Sequence, residues 1–198
     1  MVDFKPGYFR ERPVSELPPE LPEVRGMLEG YYGFNDAESR AFDKFISDTA
    51  TIESEGGTVN PDSSARGIYQ FMTTKGKGQN AFQTALKRTE RTYKNFGSDV
   101  PDWVTRAKKH GDPESLTESQ QRDVFLSNIW KQKGTDKLIR KVVGGDPESA
   151  VNLYMDHHHT RSGPKDAVRR SEERARKFYG ARYGDGGLIR DAYGRTLI

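Results

Sequence analysis

An apolar stripe that a glycine pair cuts short is the feature that most limits how this chain can fold. Asn35 with Glu38 three residues on has the pattern of a capping box. Phe42, Phe45, Ile46, Thr49 and Ile52 then recur at helical spacing until Gly56-Gly57 stops the run. The pattern predicts a long amphipathic helix with Glu53 in its last turn. From 58 to 74 no helical period survives. Asn60-Pro61-Asp62 signals a turn, and Ile68-Tyr69-Gln70-Phe71-Met72 reads as a short strand or a turn of helix. A helix end and an irregular segment therefore meet at Glu53.

More helices follow. They are expected over 79–95, with Phe82, Leu86 and Tyr93 on one side, and from Pro101, with Trp103, Val104 and Ala107 inside. Thr117 and Gln120 form a second capping box that opens a helix over 117–131. Two shorter helices are read at 135–143 and 147–157, and a last one at 164–179, stopping at Gly180. Ahead of them, Pro6, Pro13, Pro18, Pro19 and Pro22 argue for an extended arm over 1–34, with room for a short helix at 22–29. The Gly-rich run 181–198 is expected to be a tail that orders on a partner surface. The fold class this predicts is mainly α: a helical domain over 35–180, a small irregular or β segment beside the helix break, and an arm at each end.

Hydrophobic residues make up 33% of the 198-residue chain and charged residues 31%, so the core is modest and much surface is left for solvent or partners. Cysteine is absent, which excludes disulfides and thiolate metal sites. No apolar run approaches the roughly 20 residues of a membrane span. The N-terminus, MVDFKPGYFRERP, lacks an apolar h-region, so no cleavable secretory signal is expected.

The formal net charge of +3 is too small to point to nucleic acid. A basic segment at 161–182 keeps nucleic acid as a weak alternative partner, against the plainer reading of a solvated helix face with i,i+4 pairs. His157-His158-His159 cannot converge on one ion, because consecutive helical residues point about 100° apart. Thr74-Lys75-Gly76-Lys77-Gly78 lacks the spacing of a phosphate loop. Trp103 and Trp130 sit on amphipathic helices and read as core rather than as sugar platforms.

A glutamate at this place has a chemistry open to it. Cleaving a glycosidic bond takes a proton donor at the leaving oxygen while positive charge builds on the sugar ring. Apolar neighbours and a helix C-terminus both disfavour negative charge, which suits a proton donor. Glu55 and Asp62 are the other acids nearby, and Asp62 reads as an ordinary turn residue.

Glu53-Ser54, a glycine pair and the run Ser63-Ser64-Ala65-Arg66-Gly67-Ile68-Tyr69-Gln70-Phe71-Met72 together resemble the soluble lytic transglycosylases of the lysozyme-like superfamily. The likeness is strongest to versions carried by phage particles. Leu116-Thr117-Glu118-Ser119-Gln120-Gln121 is similar to a helix start between their motifs. Ala150-Val151-Asn152-Leu153-Tyr154 is similar to their third motif, and Leu153-Tyr154-Met155-Asp156-His157 with Gly163-Pro164 continues the match. The resemblance covers about 40–180. It departs at Glu55, where the family has glycine.

What the resemblance implies is specific. Glu53 is the acid and then the base. Ser54, Ser64, Gln70 and Tyr154 belong to the substrate site, with Tyr154 facing Glu53, and no metal or cofactor takes part. Glu53 protonates the oxygen between N-acetylmuramic acid and N-acetylglucosamine, and the substrate's N-acetyl group shields the developing charge. The Glu53 carboxylate then takes the proton of the C6 hydroxyl, which closes on C1 as a 1,6-anhydro product. The partners implied are peptidoglycan strands and, through the arms, other virion proteins or copies of this chain. The place implied is the phage particle, acting at the bacterial wall. Two alternatives remain: a muramidase that uses water, and a structural virion protein that keeps the fold without the activity.

Overall fold

The computed structural model describes residues 23–55, 65–73, 81–130, 134–157, 165–183, 189–190 and 196–197. The described chain is mainly helical. Its elements are α1 (Val24–Tyr32), α2 (Asp36–Glu55), β1 (Ala65–Arg66), β2 (Phe71–Met72), α3 (Ala81–Asn95), α4 (Asp102–His110), a 3-10 turn (Pro113–Ser115), α5 (Glu118–Trp130), α6 (Thr135–Val143), α7 (Pro147–His157), α8 (Lys165–Tyr183), β3 (Ile189–Arg190) and β4 (Thr196–Leu197).

Both capping boxes form. Asn35 Oδ1 accepts from the N–H groups of Ala37 and Glu38, and Glu38 Oε2 accepts from Asn35 N at 2.9 Å. Thr117 and Gln120 exchange the same pair of bonds at 3.1 and 3.3 Å. Each box satisfies N–H groups that a helix start leaves without partners, so the entry points of α2 and α5 are set locally.

Two expected boundaries move. Val24, Met27, Leu28 and Tyr32 are buried, so α1 belongs to the core although it falls in the stretch expected as an arm. Its apolar residues recur at helical spacing, and the prolines that suggested an extended chain all precede it. At the other end, α8 runs through Gly180 to Tyr183. Glycine costs a helix interior only about 1 kcal/mol. The fully buried Tyr179 beside it ties this part of the helix to the core. Within the run expected as a tail, β3 and β4 pair antiparallel, Ile189 opposite Leu197 and Arg190 opposite Thr196.

The core is centred on α5, where Val124, Phe125, Leu126 and Ile129 are all buried. It packs against α3, while α7 lies between α6 and α8, and α2 borders α6 and α8. One polar group helps hold the assembly. The buried Asp123 carboxylate accepts from Val24 N at 3.0 Å and from the Tyr93 hydroxyl at 2.7 Å. Glu23, the residue before α1, makes no side-chain cap, so Asp123 caps that helix from a distance and ties it to α3 and α5. Burial pushes the Asp123 carboxyl up to about 6 despite these two bonds.

The small β segment is one hairpin. Ala65 pairs with Met72 and Arg66 with Phe71. It is pinned at two points. Tyr69 stacks on Phe125 with ring centroids 4.3 Å apart, and Phe71 tilts against Phe82 at 5.7 Å. Alternation along so short a strand leaves Met72 exposed and Phe71 buried.

Candidate active site

Glu53 closes a series at four-residue spacing, Phe45, Thr49 and Glu53, along one face of α2. That face meets α8. Phe45 stacks on Tyr179 at 5.9 Å, and Thr49 Oγ1 lies 2.8 Å from the Tyr179 hydroxyl. Thr49 has one hydroxyl proton, and it goes to the Phe45 carbonyl at 2.8 Å. Tyr179 must therefore be the donor to Thr49. Further along, Arg174 reaches Glu53. Contacts that pair 45 and 49 with 179, and 53 with 174, make α2 and α8 antiparallel neighbours.

Three side chains close on one another at this end. The Tyr154 hydroxyl, from α7, donates to Glu53 Oε1. Arg174 Nη2 donates to the Tyr154 oxygen at 2.9 Å and to Glu53 Oε1 at 3.1 Å. Tyr154 is 1% exposed, the Glu53 side chain 10% and the Arg174 side chain 43%. The floor is thus closed and the arginine side open to solvent. Burial pushes the Tyr154 hydroxyl up, the Glu53 charge and hydrogen bond add to this, and Arg174 opposes it. Tyr154 consequently stays a neutral donor over any working pH range. For Arg174, burial works against the charge, but the oxygens of Tyr154 and Glu53 outweigh it and the guanidinium titrates above its ordinary value. One ring edge of Tyr179 backs Tyr154, with centroids 6.2 Å apart.

The hairpin is held by a residue that the sequence pattern named without a role. Gln121 Oε1 accepts from Ile68 N at 2.8 Å, and its Nε2 donates to the Leu116 carbonyl at 3.1 Å. Gly67 beside it has φ +77°, and a Cβ there would meet Gln121 Oε1 at 2.4 Å. Glycine is needed twice over, for the left-handed backbone and for the close approach. Gln70 also takes a left-handed φ of 47°, which is uncommon without glycine. Its amide Nε2 donates to the Gly67 carbonyl at 2.8 Å.

The expected site residues divide as follows. Tyr154 reaches Glu53. Gln70 sits on the hairpin turn, with its amide folded back on that turn. Ser54 lies in the last turn of α2 beside Glu53, and Glu55 ends that helix. Ser64, Asp62, His158 and His159 lie outside the described residues. Trp103 and Trp130 are partly buried against the core, with Trp130 4.9 Å from the Phe96 ring. Of the basic segment, Arg169 and Arg176 do make i,i+4 pairs, with Glu173 and Glu172. Arg174 does not belong to that solvated set. Its sequence signal is its place four residues before Phe178, which packs against the core. Among the described residues, no group of three or more His, Asp or Glu is placed to hold a metal ion. No described helix is long and apolar enough to cross a membrane.

No family model matches the chain, and no curated protein or solved structure matches it either.

Proposed function

We propose that the chain is a peptidoglycan lytic transglycosylase of lysozyme-like fold, with Glu53 as its acid and base, and that it is a phage virion component that opens the bacterial wall locally. The observation that carries this reading is the Tyr154 hydrogen bond on Glu53. It joins the two residues that the sequence resemblance pairs. Support also comes from the hairpin at 65–72, which Gln121 binds to the start of α5 as one unit.

The arrangement suits a carboxyl that works twice. Glu53 Oε1 accepts from both Tyr154 and Arg174, so the proton that Glu53 delivers is carried on Oε2. As it leaves for the glycosidic oxygen, negative charge grows on the carboxylate, the Tyr154 bond becomes charge-assisted, and the Arg174 bond becomes a full ion pair. That is stabilisation gained in the transition state rather than in the bound substrate. The carboxylate then accepts the C6 hydroxyl proton, and O6 closes on C1 to give the 1,6-anhydro sugar. No second carboxylate is required by this step.

Digestion of purified sacculi, with the released muropeptides read by mass spectrometry, tests the proposal. Anhydro-muropeptides are expected. Reducing-end products would make the chain a muramidase, and no release would leave a structural virion protein.

A further inference from the structure

The small net charge of the chain is unevenly placed. Residues 81–110, which hold α3 and α4, carry seven Lys and Arg against three Asp and Glu, a balance of +4 where the whole chain has +3. The basic segment on α8 is offset from outside, since Glu53 of α2 turns onto Arg174 and Glu148 of α7 onto Arg176.

On α3 and α4 the cations gather around the Glu90 carboxylate. One of its oxygens accepts from Lys94 Nζ at 2.6 Å and the other from Lys108 Nζ, on α4, at 2.7 Å. Lys108 and Lys94 together hold this carboxyl down to about 2. Gln83, Lys87, Glu90 and Lys94 form one stripe of α3 at three- and four-residue spacing. Gln83 Nε2 donates to the Lys108 carbonyl at 3.2 Å, so the stripe runs beside α4, with Lys87 on it between Gln83 and Glu90. Lys87, Arg91 and Lys94 are exposed. Burial and, after it, the charge of Arg91 lower the Arg88 guanidinium. Positive potential accumulates on this face.

Charge density decides what such a face fits. Lys87 and Lys94 stand seven residues apart on one helix, about 10 Å. Along duplex DNA that length passes roughly six phosphates. A glycan strand whose anionic groups hang from alternate sugars presents them far more sparsely. Single strands need exposed rings to stack on. On α3 and α4, Phe82 and Tyr93 are buried and Trp103 is partly buried against the core.

We propose that the α3–α4 face is a docking surface for double-stranded DNA, with Lys87, Arg91, Lys94 and Lys108 contacting its phosphates without regard to base sequence. Phosphates compete with Glu90 for Lys94 and Lys108, which keeps the contact reversible. None of these residues lies on α2, α7 or α8, so this face and the Glu53 site stand or fall separately.

The test is fluorescence anisotropy of the full chain with a labelled duplex of about 20 base pairs, over about 50 to 200 mM salt. Binding is expected, with log K falling against log salt at a slope of about −3 to −4, as for four phosphate contacts. Lys87→Gln, Lys94→Gln and Lys108→Gln together should weaken binding at low salt at least about tenfold and bring the slope to about −1. Glu90→Gln removes the acid from the face and should tighten binding severalfold, a gain that misfolding cannot produce. Arg169→Gln with Arg170→Gln on α8 should leave binding unchanged, and thermal melts report that each variant is folded. No salt-dependent binding to the duplex overturns the proposal, as does binding that the triple variant retains in full. Loss of binding to sacculi in the triple variant, with no duplex binding by the parent, also overturns it and gives the face to the wall polymer.

Discussion

Tyr154 donates its hydroxyl proton to Glu53 from a position 101 residues further along the chain. The bond orients the carboxyl, because a neutral, buried tyrosine gives its proton to Oε1 while its oxygen accepts from Arg174. Two helices are thereby joined at one atom of a third.

Replacing Tyr154 with Phe keeps the ring in the core and removes the hydroxyl, with its bond to Glu53 and the one it accepts from Arg174. Activity on peptidoglycan should fall roughly tenfold to a hundredfold, as for loss of one group that stabilises charge at the reacting centre. Stability should fall by only about 1 kcal/mol. Initial rates with urea unfolding check the split. A loss of stability large enough to account for the lost activity would make Tyr154 a core residue and no more.

Gly67→Ala tests the hairpin. The new methyl meets Gln121 Oε1, and moving that oxygen breaks its bond to Ile68 N. The left-handed φ of +77° adds strain of its own. The expected cost is roughly 1–3 kcal/mol. In a Gln121→Ala background the same change should cost less, since the clash is gone, and a double-mutant cycle measures the difference. Strict additivity would contradict the close approach.

Asp123 gives a pH dependence with a definite sign. Its carboxyl titrates near 6 in the folded chain against an ordinary value of 3.8. The folded state holds this proton more tightly than the unfolded state, so protonation stabilises. Its contribution is greatest below about pH 4, is lost as the pH rises through about 6, and is constant above. An isosteric Asp123→Asn can still accept from Val24 and can donate to the Tyr93 oxygen. The variant should gain stability over the parent by on the order of 2 kcal/mol at pH 8 and little at pH 4. Urea denaturation of both proteins across that range is the check. A difference independent of pH would remove the burial penalty from the account.

The parts of this fold that were legible in the sequence are those decided within a few residues. Asn35 with Glu38 and Thr117 with Gln120 meet across three positions, so their helices start where the pattern puts them. The bounds of α6 and α7 coincide with those expected because Gly and Pro punctuate them. Inclusion of α1 in the core was harder to see, since it depends on Asp123 capping the helix from 99 residues away. The continuation of α8 past Gly180 likewise depends on Tyr179 meeting Phe45 and Thr49 on α2. In the site, Glu53 and Tyr154 were paired in the sequence only through a resemblance to known motifs, and the structure adds the hydrogen bond between them. Arg174 was not, because among so many cations only tertiary structure tells which one turns inward.

The central claim is that Glu53 gives and takes the proton. Its most direct test is the rate of anhydro-muropeptide release from sacculi by the unmodified chain and by Glu53→Gln, with matched thermal melts. The account predicts 1,6-anhydro products from the first and a loss of at least about a hundredfold in the second. Release by Glu53→Gln at a rate near that of the parent would contradict it.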